Sequence, residues 1–481
     1  MDQQAAYEIV IGLEIHAQLL TQSKLFCGDS IAFDAEPNTH VSPVTLGHPG
    51  TLPKMNSKAI EYAVKMGLAC NCTIEKYNYF ARKNYFYPDL PKGYQVSQHT
   101  TPVCTGGFVV IKTAEGEKKV RLNRIHMEED AGKSLHDVDP VNSSIDYNRA
   151  GTPLIEIVTE PDLRSADEAF AYVNEVRKLV RYLDVCDGNM EEGSLRCDAN
   201  ISVRKKGDPK LGTKVEVKNL NSSRNVKRAI EIEAARLIDT LEIGGTIIQQ
   251  TRSFDANNGT TFAIRDKEDA DDYRYFAEPD LTPFQLQDDF IERIRQTIPE
   301  LSSQRSNRYR NELNLPEYDA GVLTEEKPFA DYFEQAIQYN VNYKAVSNWM
   351  LGPVRTWLNE NNATIASFPI SAKQLAAVVA LVDTGKISFS AASTKLFAAL
   401  LQSHKDPEQL ATDLNLLQQS DVATIEPIVD SVLAKMADKV EAYKKGKKGL
   451  LSLFVGEVMK QSKGKADPKI TNELILEKLK S

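Results

Sequence analysis

No stretch of this chain is apolar for long enough to cross a membrane, and Met1–Val10 carries acids where a secretion signal would carry lysines. Cysteine is scarce: six residues among 481 cannot build the disulfide framework of a small secreted domain. These absences together predict a soluble, cytoplasmic protein. Cys70 and Cys72, the nearest pair, are separated by one residue, poor spacing for a metal or redox motif, and read as packing residues. A strong positive balance is also missing. The formal charge of −9 argues against wholesale coating of nucleic acid, while leaving room for local phosphate contacts by clustered lysines. Repeats and low-complexity segments are absent. What is present is an ordinary globular composition, 42% hydrophobic and 26% charged, in a chain long enough for roughly two to four domains.

Up to about residue 290 the pattern is one of strands, glycines and polar loops, broken by two clear helices. The first starts at Ser165, with Glu168 placed to complete a capping box, and carries Phe170, Val173, Val176, Leu179 and Val180 at helical spacing. The second follows Ser222 or Ser223, carries Val226, Ile230, Ala234 and Leu237, and stops near Gly244-Gly245. Beyond residue 290 glycine thins out and helical periodicity takes over, as in Asp331–Gln338, Tyr343–Leu358, Ala372–Val382 and Ala391–Leu401. The expected class is α+β: a mixed α/β domain with an antiparallel sheet over residues 1–292, an all-α domain over 293–407, and a small all-α tail over 408–481.

Strand alternation locates the chemistry, because every second side chain of a strand shares a face. In Glu8–Leu19, residues Ile9, Ile11, Leu13 and Ile15 point one way and Glu14 and His16 the other. In Leu195–Val203 the apolar set Leu195, Cys197, Ala199, Ile201 and Val203 leaves Arg196, Asp198 and Asn200 together. Lys214–Lys218 groups Lys214, Glu216 and Lys218 around Val215 and Val217, and the intervening loop with Gly207, Pro209 and Gly212 suggests an antiparallel hairpin. Carboxylates on such a face can hold a hard cation such as Mg²⁺, and Arg or Lys can neutralise phosphate. Phosphoryl transfer demands little beyond positioning and charge neutralisation. Glu156 sits within the apolar run Leu154–Val158 and must be paired, protonated or metal-bound. Spacing alone leaves a plainer reading open: a solvent-facing strand with ordinary surface salt bridges gives the same pattern.

The same residues carry a family resemblance. Val10-Ile11-Gly12-Leu13-Glu14-Ile15-His16, Arg82-Lys83-Asn84-Tyr85-Phe86-Tyr87-Pro88-Asp89, Glu128-Glu129-Asp130-Ala131-Gly132-Lys133-Ser134 and Met190 through Asn200 resemble signatures of the B subunits of tRNA-dependent amidotransferases. So do Gly151 through Asp162, Val217 through Ser222, Asp272-Tyr273-Arg274-Tyr275-Phe276, and Phe454-Val455-Gly456 near the end. The resemblance implies a cradle-shaped catalytic domain, a helical domain and a YqeY-like tail. It implies a two-step reaction on Glu-tRNA(Gln) or Asp-tRNA(Asn): ATP phosphorylates the side-chain carboxylate, then ammonia displaces phosphate. It also implies a heterotrimer, with an amidase A subunit supplying ammonia from glutamine and a small C subunit. The family's Mg²⁺-binding residues map onto Glu14, His16, Glu128, Glu129, Glu156, Asp198 and Glu216, with Arg196 and Lys218 as added candidates for phosphate contact. Tail lysines Lys444, Lys445, Lys447, Lys448, Lys460, Lys463, Lys465 and Lys469 are expected to contact tRNA.

Two things are missing from this chain. It has no amidase-type nucleophile motif, so a partner is expected as the ammonia source. It also departs from the Cys-Pro-Val-Cys element of zinc-bearing relatives, keeping Cys27 but reading Ser42-Pro43-Val44-Thr45, and no zinc site is expected. A non-catalytic tRNA-binding scaffold and a free-standing ATP-dependent carboxylate–amine ligase are the alternative readings. ATP turnover that requires the mischarged tRNA would separate the main reading from the second.

Overall fold

The structure, a computed structural model, describes residues 6–480 except 136–138, 140, 267–272, 404, 419–421 and 463–464. Lys463 and Asp272 therefore lie outside the described residues. The chain divides into two compact units, Met1–Leu301 and Ser302–Ser481.

The first unit is built on one sheet of thirteen strands among the described residues. Those that matter are β1 (Tyr7–Gln18), β2 (Ala81–Asn84), β3 (Tyr94–Ser97), β4 (Phe108–Thr113), β5 (Gly116–Glu129), β6 (Pro153–Thr159), β7 (Leu195–Lys205), β8 (Val215–Leu220), β9 (Gln250–Asp255) and β10 (Thr260–Asp266). Their spatial order is β10-β9-β8-β7-β1-β6-β5-β3-β2, with β4 forming a hairpin on β5. These pairings are antiparallel except β8–β9, whose crossover is a helix.

Three long helices pack on this sheet, and a shorter one, Asp288–Gln296, adds Ile294 to the core. Helix α1 (Ser57–Ala69) packs against β5, while α2 (Ala166–Tyr182) and α3 (Ser223–Glu242) pack on each other and against β4 and β7. They bury Ile11, Leu13, Ile15 and Ala17 of β1 and Leu195, Cys197, Ala199, Ile201 and Val203 of β7. The alternating apolar sets thus define the covered face, leaving the acidic set on the other.

Helix α2 begins as its sequence predicts, with Ser165 Oγ accepting from the Glu168 backbone N–H at 3.2 Å. The reciprocal half of the capping box does not form. The Glu168 carboxylate instead accepts from the Arg164 N–H and from Lys118, a charge-assisted bond that outcompetes the Ser165 backbone donor. Helix α3 is capped by Ser222 and ends before Gly244, whose φ of +76° needs a residue without a Cβ. Helix α1 is a correction to the sequence reading, which placed only two helices here. Its signal is present in the Asn56 cap and in buried Ala59, Ile60, Ala63, Val64 and Met66.

The second unit is helical throughout its described residues and holds two apolar cores. One spans Tyr309 to Ala411 around Trp349, Phe333 and Leu375; the other spans Ile425 to Leu479 around Val429, Phe454 and Ile475. The expected helix Tyr343–Leu358 is continuous only through a π-helical segment, Met350–Val354, which accommodates Pro353. No helix among the described residues is long and apolar enough to cross a membrane.

Candidate functional site: two clusters on one sheet face

Strand β1 is the axis of the site. Antiparallel register sets its His16 beside Glu156 of β6 and Arg196 of β7, and its Glu14 beside Asp198 of β7. Across β6, Glu156 faces His126 of β5, and Glu128 lies one same-face step further along that strand. Across β7, Asn200 faces Glu216 of β8. A bulge then sets Lys218 and Asn219 against Asp198 alone, and Asn219 takes the extra position with φ of +65°. This insertion aims Lys218 at Asp198 instead of carrying it past.

These residues form two separate clusters. His16, Glu128 and Glu156 make one; Glu14, Asp198 and Glu216 make the other, and within each the potential ligand atoms lie within 4.8 Å of one another. Glu14 and His16 link them, roughly 7 Å apart along β1 as same-face neighbours.

In the first cluster His16 Nε2 is 3.5 Å from Glu156 and 3.7 Å from Glu128. His126 Nε2 is 3.2 Å from Glu156 and 3.8 Å from Glu128. Burial alone would raise both carboxyls and lower both imidazoles. For Glu156, attraction to His126 and His16 wins and holds the carboxyl well below the usual range; Glu128 is lowered in the same way, chiefly by its bond with His126. The imidazoles move oppositely: Glu156 and Glu128 raise His16 and push His126 up to about 9.

The second cluster offers oxygen only. Asn200 Nδ2 donates to Glu14 Oε1 at 2.9 Å, Thr251 Oγ1 donates to Glu216 Oε2 at 2.9 Å, and Lys218 donates to Asp198 while lying 3.3 Å from Glu216. Burial raises the Glu14 carboxyl, and the nearby charges of Glu156, Glu216 and Asp198 add to the effect. Three carboxylates against one lysine leave an excess of negative charge, the condition under which a buried group seeks a cation. An all-oxygen set suits Mg²⁺ or another hard cation, whereas the imidazole in the first cluster broadens that site towards Mn²⁺ or Zn²⁺.

Six of the seven expected metal-binding residues are thus brought together. Glu129 is not with them. As the strand neighbour of Glu128 it points to the opposite face, accepting from Lys92 and from the Val96 N–H at 2.9 Å. It lines a cavity of about 330 Å³ with Lys24, Cys27, Lys92 and Gly151. Arg196 is held by Asp130 at 2.9 Å, and Asp130 also accepts from Gln18 Nε2 at 2.7 Å. Both cations proposed for phosphate contact are therefore engaged with carboxylates. Cys27 lies 3.3 Å from Asp29 Oδ2 and Thr45 Oγ1, so its thiol belongs to a hydrogen-bonded knot that also binds the Ser42 N–H.

Sequence reasoning missed His126, Lys83 and Thr251. His126 was findable, since it precedes Glu128 by two residues in one strand. Lys83 required the tertiary fold: its Nζ lies 4.9 Å from the Tyr273 ring and 5.5 Å from that of Tyr85. Burial disfavours its charge, but Glu128, Tyr275 and Glu156 raise it.

In the second unit, Lys444, Lys445, Lys447 and Lys448 are exposed around the turn between helices Ala437–Lys444 and Leu451–Gln461, with Lys448 over the Tyr443 ring at 4.3 Å. Lys460 and Lys469 are exposed; Lys465 is half-buried and donates to Asn415 Oδ1 at 3.0 Å.

Comparison with known proteins gives the context of this geometry. The family model described as the GatB/GatE catalytic domain matches residues 9–292, and that described as the GatB domain matches 331–479. The B subunit of the aspartyl/glutamyl-tRNA(Asn/Gln) amidotransferase of Geotalea uraniireducens is 51% identical over 98% of this chain and 99% of its own. Those of Bdellovibrio bacteriovorus and Myxococcus xanthus are 50% and 48% identical, over 98% of this chain and 99% and 98% of theirs. Matches of this extent, with the motif residues assembled on one sheet face, show that the chain belongs to the family of aspartyl/glutamyl-tRNA(Asn/Gln) amidotransferase B subunits.

Proposed function

We propose that this chain carries the ATP-dependent step of tRNA-dependent amidation, converting Glu-tRNA(Gln), Asp-tRNA(Asn) or both to the amidated aminoacyl-tRNA. The reading rests on one observation above the others: two carboxylate clusters side by side on β1, bordered by Lys83, Arg196 and Lys218. A carboxylate is a poor electrophile. Transfer of the ATP γ-phosphoryl group to its oxygen makes an acyl phosphate, and attack of ammonia on the carbonyl carbon expels phosphate and leaves the amide.

Glu14, Asp198 and Glu216 would hold one Mg²⁺, and His16, Glu128 and Glu156 a second cation. Bound there, such ions neutralise phosphate charge and screen the two anionic reactants from each other. The chain's own residues keep that face ready. His126 orients Glu156 and Glu128, Asn200 and Thr251 fix Glu14 and Glu216, and Lys218 balances the second cluster until a cation displaces it. Arg196, released from Asp130, would meet a phosphate oxygen.

Ammonia is proposed to come from glutamine through an amidase A subunit, with a small C subunit completing the heterotrimer, in the cytoplasm. The tail lysines are proposed to contact the tRNA backbone, and residues 1–292, 293–407 and 408–481 to divide catalysis, support and tRNA binding.

The test is amide formation on Glu-tRNA and Asp-tRNA by the chain with its partners, supplied with ATP, Mg²⁺ and ammonium chloride. Product that requires ATP, and that Asp198→Asn abolishes without loss of tRNA binding, supports the reading. Undiminished product in that variant overturns it.

A further inference from the structure

The motif Arg82–Asp89 is only partly used by the site described above. Its Lys83 is close enough to the first carboxylate cluster for Glu128 and Glu156 to raise its pKa against the effect of burial, and three consecutive aromatics, Tyr85, Phe86 and Tyr87, follow from half-buried to exposed. Tyr85 packs edge-on against Tyr273 at 5.8 Å and against Tyr87 at 5.7 Å, forming a ring wall that continues from Lys83 towards solvent. At its outer end Tyr87 is 51% and Phe86 90% exposed. An almost fully exposed phenylalanine beside a reactive face is not explained by packing. Gly93 lies against its ring: a Cβ there would stand 3.5 Å from it, and the φ of +73° at Gly93 favours glycine.

From this placement we infer that Phe86 and Tyr87 form a stacking platform for a base in the single-stranded 3′ end of the aminoacyl-tRNA. The inference rests on the proposed reaction, which requires the esterified amino acid to reach Glu156 and Asp198 while its RNA strand arrives from solvent. An exposed ring suits a base at the end of a strand that is held elsewhere along its length. A free nucleotide, with no such support, needs enclosure on both sides of its base. Aromatic stacking contributes about 1–3 kcal/mol per base in single-strand recognition and tolerates any base identity.

Because Phe86 buries almost nothing, its replacement leaves the fold intact. In the complex with its partners, wild type, Phe86→Leu and Phe86→Trp are compared for binding of intact tRNA and of tRNA trimmed of its single-stranded 3′ end. Wild type binds the intact form more tightly. Phe86→Leu is expected to lose about 10-fold of that advantage, with binding of the trimmed tRNA unchanged, and Phe86→Trp to retain it. With ammonium chloride as nitrogen source, KM for aminoacyl-tRNA rises by a similar factor in Phe86→Leu while kcat and KM for ATP hold. A Phe86→Leu variant that keeps the full advantage of intact tRNA overturns the inference, as does a rise confined to KM for ATP. Absence of ATP-dependent product in wild type overturns the proposed reaction instead, and is read separately from the binding comparison.

Discussion

His126 illustrates how a side chain outside the cation-binding set can govern it. Its Nε2 lies between Glu156 and Glu128, and both carboxylates stay ionised despite burial because imidazoles face them. Partners of this kind fix the orientation of first ligands, and their loss costs roughly 10–100-fold in metal affinity. His126→Ala should therefore raise the Mg²⁺ concentration for half-maximal amide formation by about 10-fold, with the rate recovering at saturating Mg²⁺. Glu156→Gln, which removes a ligand, should not recover. Mg²⁺ titrations of the two variants make the comparison. A second residue gives a pH signature away from the site. Lys24 is inaccessible and donates to the carbonyls of His40 at 2.7 Å and Tyr147 at 3.2 Å, yet burial pulls its pKa down to about 8. A pKa depressed on folding adds stability that is complete above the unfolded value near 10.5 and lost as pH falls through about 8. Wild type should gain on the order of 2 kcal/mol relative to Lys24→Met between pH 7.5 and 9.5. Denaturant unfolding of both proteins at the two pH values measures it, and parallel curves would show Lys24 titrating as in solution.

Strands β1, β7 and β8 carried their faces openly in sequence, because a period of two needs no tertiary information. The buried set Ile11, Leu13 and Ile15 and the opposed pair Glu14 and His16 were readable for that reason. Register was not readable. Nothing in the individual strands says that His16 aligns with Glu156, or Glu14 with Asp198, and only that alignment divides six of the seven candidate ligands into two clusters; Glu129, the strand neighbour of Glu128, falls on the far face by alternation alone. The β7–β8 bulge was hidden too, since one inserted residue leaves the alternation on each side intact. Asn219 holds it at φ +65°, a conformation that costs a residue with a Cβ about 1–2 kcal/mol unless its side chain bonds locally. Asn219→Gly should be neutral within about 0.5 kcal/mol, and Asn219→Ala should lose about 1 kcal/mol in denaturant unfolding. Because the bulge aims Lys218, Asn219→Ala should also slow amide formation more than its lost stability explains. Equal rates for the Gly and Ala variants would leave the bulge a purely structural feature.

At the level of the whole molecule, an acidic chain with a net charge of −9 must still engage a polyanion if it acts on tRNA. The exposed lysines at 444, 445, 447 and 448 form the densest basic segment, placed on a turn where long side chains can reach outward. Exposure alone does not make a contact, and two of them have internal partners: Lys445 meets Glu441 at 3.1 Å and Lys448 covers Tyr443. Surface pairs of this strength are worth under about 1 kcal/mol and yield readily to phosphate. The salt dependence of binding counts such contacts directly, because each neutralised phosphate releases counterion and adds about 0.7–0.9 to the slope of log K against log salt. Changing all four lysines to serine should flatten that slope by roughly 3 if each meets a phosphate, and by roughly 1.5 if only Lys444 and Lys447 do. The same variant should keep its kcat at saturating aminoacyl-tRNA, since no cluster residue is touched. Binding isotherms over a range of KCl, with amide formation measured in parallel, test both statements. An unchanged slope would assign the lysines to solubility and move the search for backbone contacts to another basic surface.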